Sequence, residues 1–328
     1  MYTDYYSITG SEHELHRIPC EDVGAVFETE DLTVVAVSDG CSAYPNTDIA
    51  AELTIRGLNE FVHQHEKVII QGRFSPDRFM KMLLIKLKHL YKEHCGKYPY
   101  HYMAATLAFL IINRTNDCYH LFSVGDSTVL SVDCLGRVSV RMAPYNKNIT
   151  STVFCNSYEE AKSTYQYGKG NLSEDGRAAF LLLTDGAAAA PHYAYGELIQ
   201  SLSKHDVFER RIILKDFCKN LKNKTGDDIT VALIMPEEVP TATDSDKKYE
   251  GGEEERNPFK ELLNALKTPI SVRELCEKGI YPEGHLLAAL MPMVSAGMAV
   301  KIKDKDEIKY RLSDDMMKAW FKEEGEEA

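Results

Sequence analysis

The sequence predicts an α+β fold, sheets with helices packed outside them, followed by a small, mainly helical unit. Three observations carry this. Short apolar runs recur at LTVVAVS (32–38), AATLAFLII (104–112), AAFLLLT (178–184) and ITVALIM (229–235), and runs of that length suit buried strands. Helix-period segments fall between them in pairs, which argues against a regular alternation of one strand and one helix. Beyond Met235 the composition changes: PEEVPTATDSDKKYEGGEEER (236–256) is acidic and punctuated by Pro and Gly, the character of a linker. The expected division is a body over 1–235, a linker over 236–256 and a C-terminal unit over 257–328.

The elements follow in order. After the strand at 32–38, a helix is expected over 47–66, with Ile49, Leu53, Leu58 and Phe61 roughly on one stripe and Asp48 near the amino end. A second helix begins at Ser75-Pro76-Asp77, where a cap candidate, a proline and an acid all suit exposed amides. Its apolar positions Phe79, Met82, Leu83, Leu87 and Leu90 oppose Lys81, Lys86 and Lys88, read as a solvated face. The runs at 104–112, 118–126, 127–133 and 137–142 suggest an antiparallel meander, with Leu135-Gly136 as the last turn. A polar excursion at 144–176, the strand at 178–184, helices near 195–204 and 207–222 and the strand at 229–235 complete the body. In the C-terminal unit, segments at 259–268, 271–279 and from Glu283 read as helices, and MAVKIKD and EIKYRLS as a hairpin. That order weakly resembles a winged helix, although Pro292 argues against an unbroken third helix.

Composition excludes several functions. A chain of 328 residues with 44% hydrophobic residues can bury a large core, and a formal charge of -12 argues against non-specific binding to nucleic acid or an anionic membrane. Charges in 257–328 nearly balance, so that unit is expected to bind a protein partner rather than DNA. The segment MYTDYYSITG has neither the basic nor the apolar run of a signal peptide, and no apolar stretch reaches membrane-spanning length. Eight cysteines without a CxxC pair point to reduced thiols in the cytoplasm.

The acids carry the chemistry. Asp39 and Asp185 each end an apolar run as Asp-Gly, Asp126 lies in a Gly-Asp-Ser connection, and Asp227-Asp228 precede the last strand. Asp-Gly also ends strands simply as a turn. Acids at four strand ends, however, need something to offset desolvation and mutual repulsion, and hard divalent ions do so through oxygen ligands.

These motifs in this order resemble the PP2C-type metal-dependent protein serine/threonine phosphatases: Arg17 and CEDVG (20–24), VAVSDG (35–40), AAT (104–106), FSVGDS (122–127), LLLTDG (181–186) and TGDDITVALI (225–234). The resemblance implies a four-layer αββα sandwich holding two Mg²⁺ or Mn²⁺ ions, with room for a third, and a phosphoprotein substrate. It makes Asp39, Gly40, Asp185 and Asp227 the expected metal ligands and Arg17 the expected phosphate-binding residue. Glu21, Asp22, Asp126 and Asp228 become candidates for holding metal-bound waters or the third ion.

One departure stands out. Many members follow Asp-Gly with a histidine that is a candidate general acid, whereas here Cys41-Ser42-Ala43 follow. Cys41 reads as a small buried thiol. His13, His16, His101 and His120 read as surface or core residues, with His13 and His16 near enough in sequence to reach the cleft. Two further functions stay open: a catalytically weak signalling or scaffolding module, and a phosphatase for a small phosphorylated metabolite.

Overall fold

The computed structural model describes residues 1–72, 75–134, 136–144, 146–148, 151–172 and 177–236, then 264–278, 299–304, 307–314 and single residues 262, 290, 294 and 317. The chain forms two units, Met1–Thr243 and Asp244–Ala328. The first begins with β1 (Tyr2–Ile8), α1 (Ser11–His16), β2 (Asp22–Glu28), β3 (Leu32–Asp39), α2 (Thr47–Ile70) and α3 (Pro76–His94). It continues through β4 (Leu107–Asn113), β5 (Cys118–Val124), β6 (Thr128–Asp133), β7 (Val138–Met142), β8 (Asn146–Asn148), β9 (Ser151–Thr152), α4 (Tyr158–Thr164) and β10 (Gln166–Asn171). It closes with β11 (Arg177–Leu183), α5 (Asp185–Ala188), α6 (His192–Leu202), α7 (Val207–Thr225) and β12 (Ile229–Met235).

Two five-stranded antiparallel sheets result, ordered β1-β12-β11-β6-β7 and β10-β5-β4-β3-β2. Side-chain alternation explains why their central strands read as continuous apolar runs: both faces are covered. Val34 and Ala36 of β3 join the cluster with α2 and α3, while Val35 and Val37 meet Phe180, Leu182, Ala232 and Ile234 of the other sheet. On that sheet Leu181, Leu183, Val231 and Leu233 face outward onto α6 and α7. Helix, sheet, sheet, helix is the expected four-layer α+β sandwich.

Several local expectations change. Ile49 and Met82 are exposed, so the buried face of α2 runs through Ala50, Leu53, Thr54, Leu58, Phe61 and Val62, and that of α3 through Phe79, Met80, Leu83, Leu84, Leu87 and Tyr91. Ser75 stands at the N-cap in extended geometry, yet its hydroxyl makes no cap hydrogen bond. The better cap is at α7, where Asp206 accepts from the Phe208 and Glu209 amides and Glu209 accepts from the Asp206 amide in return. The meander is broken: β5 and β6 belong to different sheets, so Gly125-Asp126-Ser127 carries the chain from one sheet to the other.

In the second unit, β13 (Ile270–Ser271), α8 (Val272–Glu277), β14 (Ala299–Asp304) and β15 (Glu307–Leu312) surround a cluster that includes Leu262, Leu266, Leu275, Leu290, Tyr310 and Leu312. The expected hairpin is present as β14 and β15. Ser271 and Glu274 form a reciprocal capping box at the start of α8. Most of the linker expected at 236–256 and of the helix expected from Glu283 lies outside the described residues.

Candidate active site

Antiparallel pairing decides which acids meet. Asp39 ends β3 directly opposite Asp22 at the start of β2. Asp185 follows β11, Asp227 and Asp228 precede its antiparallel neighbour β12, and Asp126 sits at the crossing from β5 to β6. All six acids therefore gather at one end of the sandwich.

Two glycines allow the close approach. A Cβ at Gly40 would lie 2.4 Å from the Thr47 carbonyl oxygen, and one at Gly186 would lie 2.1 Å from that of Asp228. No side chain fits at either position without moving backbone. Gly40 donates its N–H to the Glu21 carbonyl (3.0 Å), but the Glu21 N–H donates to Asp228 Oδ2 (2.6 Å). The Gly40 carbonyl is thereby left without the reciprocal bond an antiparallel pair would give it.

The acids fall into two layers. Glu21, Asp22 and Asp228 are buried and hydrogen-bonded: Thr47 donates to Glu21 Oε1 (2.6 Å) and Thr184 to Asp22 Oδ2 (2.6 Å). Asp228 accepts from the Gly10 N–H (2.6 Å) as well as from Glu21, and lies 3.0 Å from His13 Nδ1. It is thus a structural clasp between the first and last segments of the unit. Asp39 and Asp126 are half-buried, and Asp185 and Asp227 reach solvent. Thr152 donates to Asp126 Oδ2 (2.6 Å), whereas Asp126 Oδ1 and Glu21 Oε2 are buried without hydrogen-bond partners among the described residues.

Crowding shows in the titration. Burial, followed by the charges of Asp228 and Asp185, pushes Asp22 up to about 8, with the Thr184 bond opposing the rise. Burial and then the charges of Asp22, Asp185, Asp126 and Asp227 hold Asp39 well above the usual carboxylate range. Asp185, although open on its outer side, is pushed up to about 6 by partial burial and by Asp227 and Asp126. Asp227 is raised by burial and Asp228. A cluster of this kind binds either protons or cations.

Among the described residues, no group of three or more His, Cys, Asp or Glu is arranged to hold a metal ion. The donor set nevertheless fits a hard divalent cation. It consists of oxygen atoms, two of its carboxylate oxygens are buried without a hydrogen-bond partner among the described residues, and Mg²⁺ keeps several waters while taking only one or two carboxylates.

His13, read from the sequence as a surface or core residue near enough to reach the cleft, lies within the site. It is buried, with Nδ1 on Asp228 and Nε2 3.4 Å from Ser42 Oγ and 3.8 Å from Glu21 Oε2. No spacing signals this, because Asp228 is 215 residues away. Ser42 belongs to the segment where the resemblance led to the expectation of a histidine, and the His13 imidazole approaches that segment from α1. Cys41 is half-buried rather than buried, and burial raises its thiol pKa. Arg17 ends α1 in a left-handed conformation (φ 59°), is exposed, and its guanidinium has no hydrogen bond or ion pair with a described residue. His16 is exposed, and His120 lies on β5 beside Tyr167.

Comparison with known proteins agrees with this architecture. The profile of the Protein phosphatase 2C family matches residues 9–232, and the chain belongs to that family. Among solved structures, a bacterial serine phosphatase is similar at 15% identity and TM-score 0.53, covering 73% of this chain and 98% of its own. Serine/threonine phosphatase Stp1 from Staphylococcus aureus is similar at 14% identity and TM-score 0.52, covering 72% and 95%. No curated protein matches the chain. Among the described residues, no helix is long and apolar enough to cross a membrane.

Proposed function

We propose that the protein is a cytoplasmic, metal-dependent phosphatase that hydrolyses phosphoserine or phosphothreonine in proteins without a covalent intermediate. The observation carrying this is the convergence of Asp39, Asp126, Asp185 and Asp227 at one end of the sandwich, where crowding raises the carboxyl pKa of Asp39, Asp185 and Asp227. Asp39, Asp185, Asp227 and the Gly40 carbonyl would hold two Mg²⁺ or Mn²⁺ ions, with Asp126 toward a third. When bound, the ions supply Lewis acidity and a water activated at neutral pH.

The chain's own residues do the rest. Arg17 offers a planar donor fork to the phosphoryl oxygens. Glu21 and Asp22, fixed by Thr47 and Thr184, present acceptors behind the ligands. His13, anchored through Nδ1 by Asp228, sets Nε2 beside Ser42, where its imidazolium form would donate the Nε2 proton to the leaving alkoxide. The C-terminal unit serves as a protein-interaction module. A second reading, a catalytically weak signalling module, draws on the Cys41-Ser42-Ala43 replacement alone.

Steady-state hydrolysis of a phosphopeptide panel, before and after chelation and with Mn²⁺ or Mg²⁺ restored, tests the proposal. Activity is expected only with metal. Full activity of protein verified to be metal-free would overturn it.

A further inference from the structure

Beside the turn bearing Asp39 lies a cavity of about 410 Å³ whose lining includes Tyr44, Lys88, Tyr100, Ala104 and Tyr158. Its connection to the active site is short and runs through backbone hydrogen bonds. Ala104 accepts the Cys41 N–H (3.0 Å), and the next residue, Ala105, bridges Gly40 and accepts the Cys155 N–H (2.9 Å). Tyr44 comes from the loop after Cys41 and is stacked on Tyr102, with ring centroids 5.1 Å apart.

Lys88 is the unusual group. Of the three lysines expected on a solvated face of α3, Lys81 is exposed and Lys86 is paired with Glu60 at 2.7 Å. Lys88 is half-buried and turns to the cavity, its Nζ 5.9 Å from the Tyr100 ring centroid and 5.7 Å from that of Tyr158. It has no carboxylate or hydrogen-bond partner among the described residues. Ring faces stabilise an ammonium without neutralising it, so its hydrogen-bonding capacity stays open to an anion. The two carboxylates of the lining compete weakly. Glu159 and Glu160 lie at exposed positions of α4, and Glu159 is engaged by Lys162 at 3.0 Å.

We propose that this cavity receives an anionic side chain of the substrate flanking the phosphorylated residue, with Lys88 as its counter-charge. The inference rests on the phosphatase reading, and its source of negative charge is a carboxylate or a second phosphate on the same peptide. Lys88 determines specificity and takes no part in the bond cleavage.

The test uses the full chain and fluorescent phosphoserine peptides carrying Ala, Asp, a second phosphoserine or Arg at flanking positions. Binding is read by anisotropy in chelator and turnover with Mn²⁺. Acidic flanks are expected to lower Kd and KM about tenfold relative to Ala, as for a charged hydrogen bond. The Asp and doubly phosphorylated peptides distinguish the two sources. Lys88→Gln should abolish that preference while kcat on p-nitrophenyl phosphate is unchanged, and Lys88→Arg should keep it. Equal binding of Ala, Asp and phosphoserine flanks, or an undiminished preference in folded Lys88→Gln, would overturn the inference even if metal-dependent turnover is normal. Absent turnover in every peptide would instead count against the phosphatase reading, and anisotropy would still decide the role of Lys88.

Discussion

Asp228 and Asp185 are both acids at the same end of the sandwich, and they should fail differently. Asp228→Ala leaves the Gly10 and Glu21 N–H groups buried without their acceptor. At about 1–3 kcal/mol for each abandoned donor, a loss of about 3 kcal/mol is expected, read as a lower urea midpoint. Asp185→Asn removes a crowded charge and no buried backbone bond other than the local one from Gly186. Its melt in chelator should be no lower than that of the parent, while calorimetry should show lost metal binding and assays lost turnover. The proton donor can be separated in the same way. Cys41→Ser should change kcat only a few-fold, because a raised thiol pKa makes Cys41 a poor participant at neutral pH. His13→Gln should slow phosphoserine hydrolysis about a hundredfold yet spare p-nitrophenyl phosphate, whose leaving group needs no proton. Equal losses on both substrates would remove His13 from that role.

At the scale of elements, what the sequence revealed follows burial. Strands covered on both faces, such as β3, β11 and β12, are unbroken apolar runs and were legible. Of the edge strands, β7 was legible at 137–142, but YTDYYSI at β1 and QYGKGN at β10 were not, because one side of each meets no strand and they mix polar residues with aromatics or glycine. The crossing at Asp126 was equally hidden, since a Gly-Asp-Ser turn looks alike whether it joins neighbours or changes sheet. The acids at strand ends were legible, and Asp228's clasp on His13 was not, because it depends on contacts between opposite ends of the unit. One consequence of an edge is testable by pH. His120 on β5 faces Lys169 on β10, and burial followed by that ammonium holds its pKa at about 4. An unfolded histidine titrates near 6.5, so the unfolded chain binds more protons between those values. Stability should be full above pH 6.5 or so, decline as pH falls, and have lost this contribution below about 4. Urea midpoints across that window should fall more steeply for the parent than for His120→Gln.

For the whole molecule, the division into two units predicts that a chain ending at Pro240 folds and cleaves p-nitrophenyl phosphate at near the full rate. Loss of rate on the physiological phosphoprotein alone would mark the second unit as a recruiter, acting through effective concentration. A melt or rate far below the parent on the small substrate would show that the units are energetically inseparable. The pairing of β1 with β12 also sets an order of events during synthesis. Strands β2 to β5 are sequential neighbours and can associate as they emerge, whereas β1 must wait for a partner more than 200 residues later. Until Asp227 and Asp228 leave the ribosome, the nascent chain carries an exposed first strand and only part of its acidic cluster. Phosphatase activity should therefore appear abruptly at the end of translation of the body, giving the cell no active fragment from an interrupted copy.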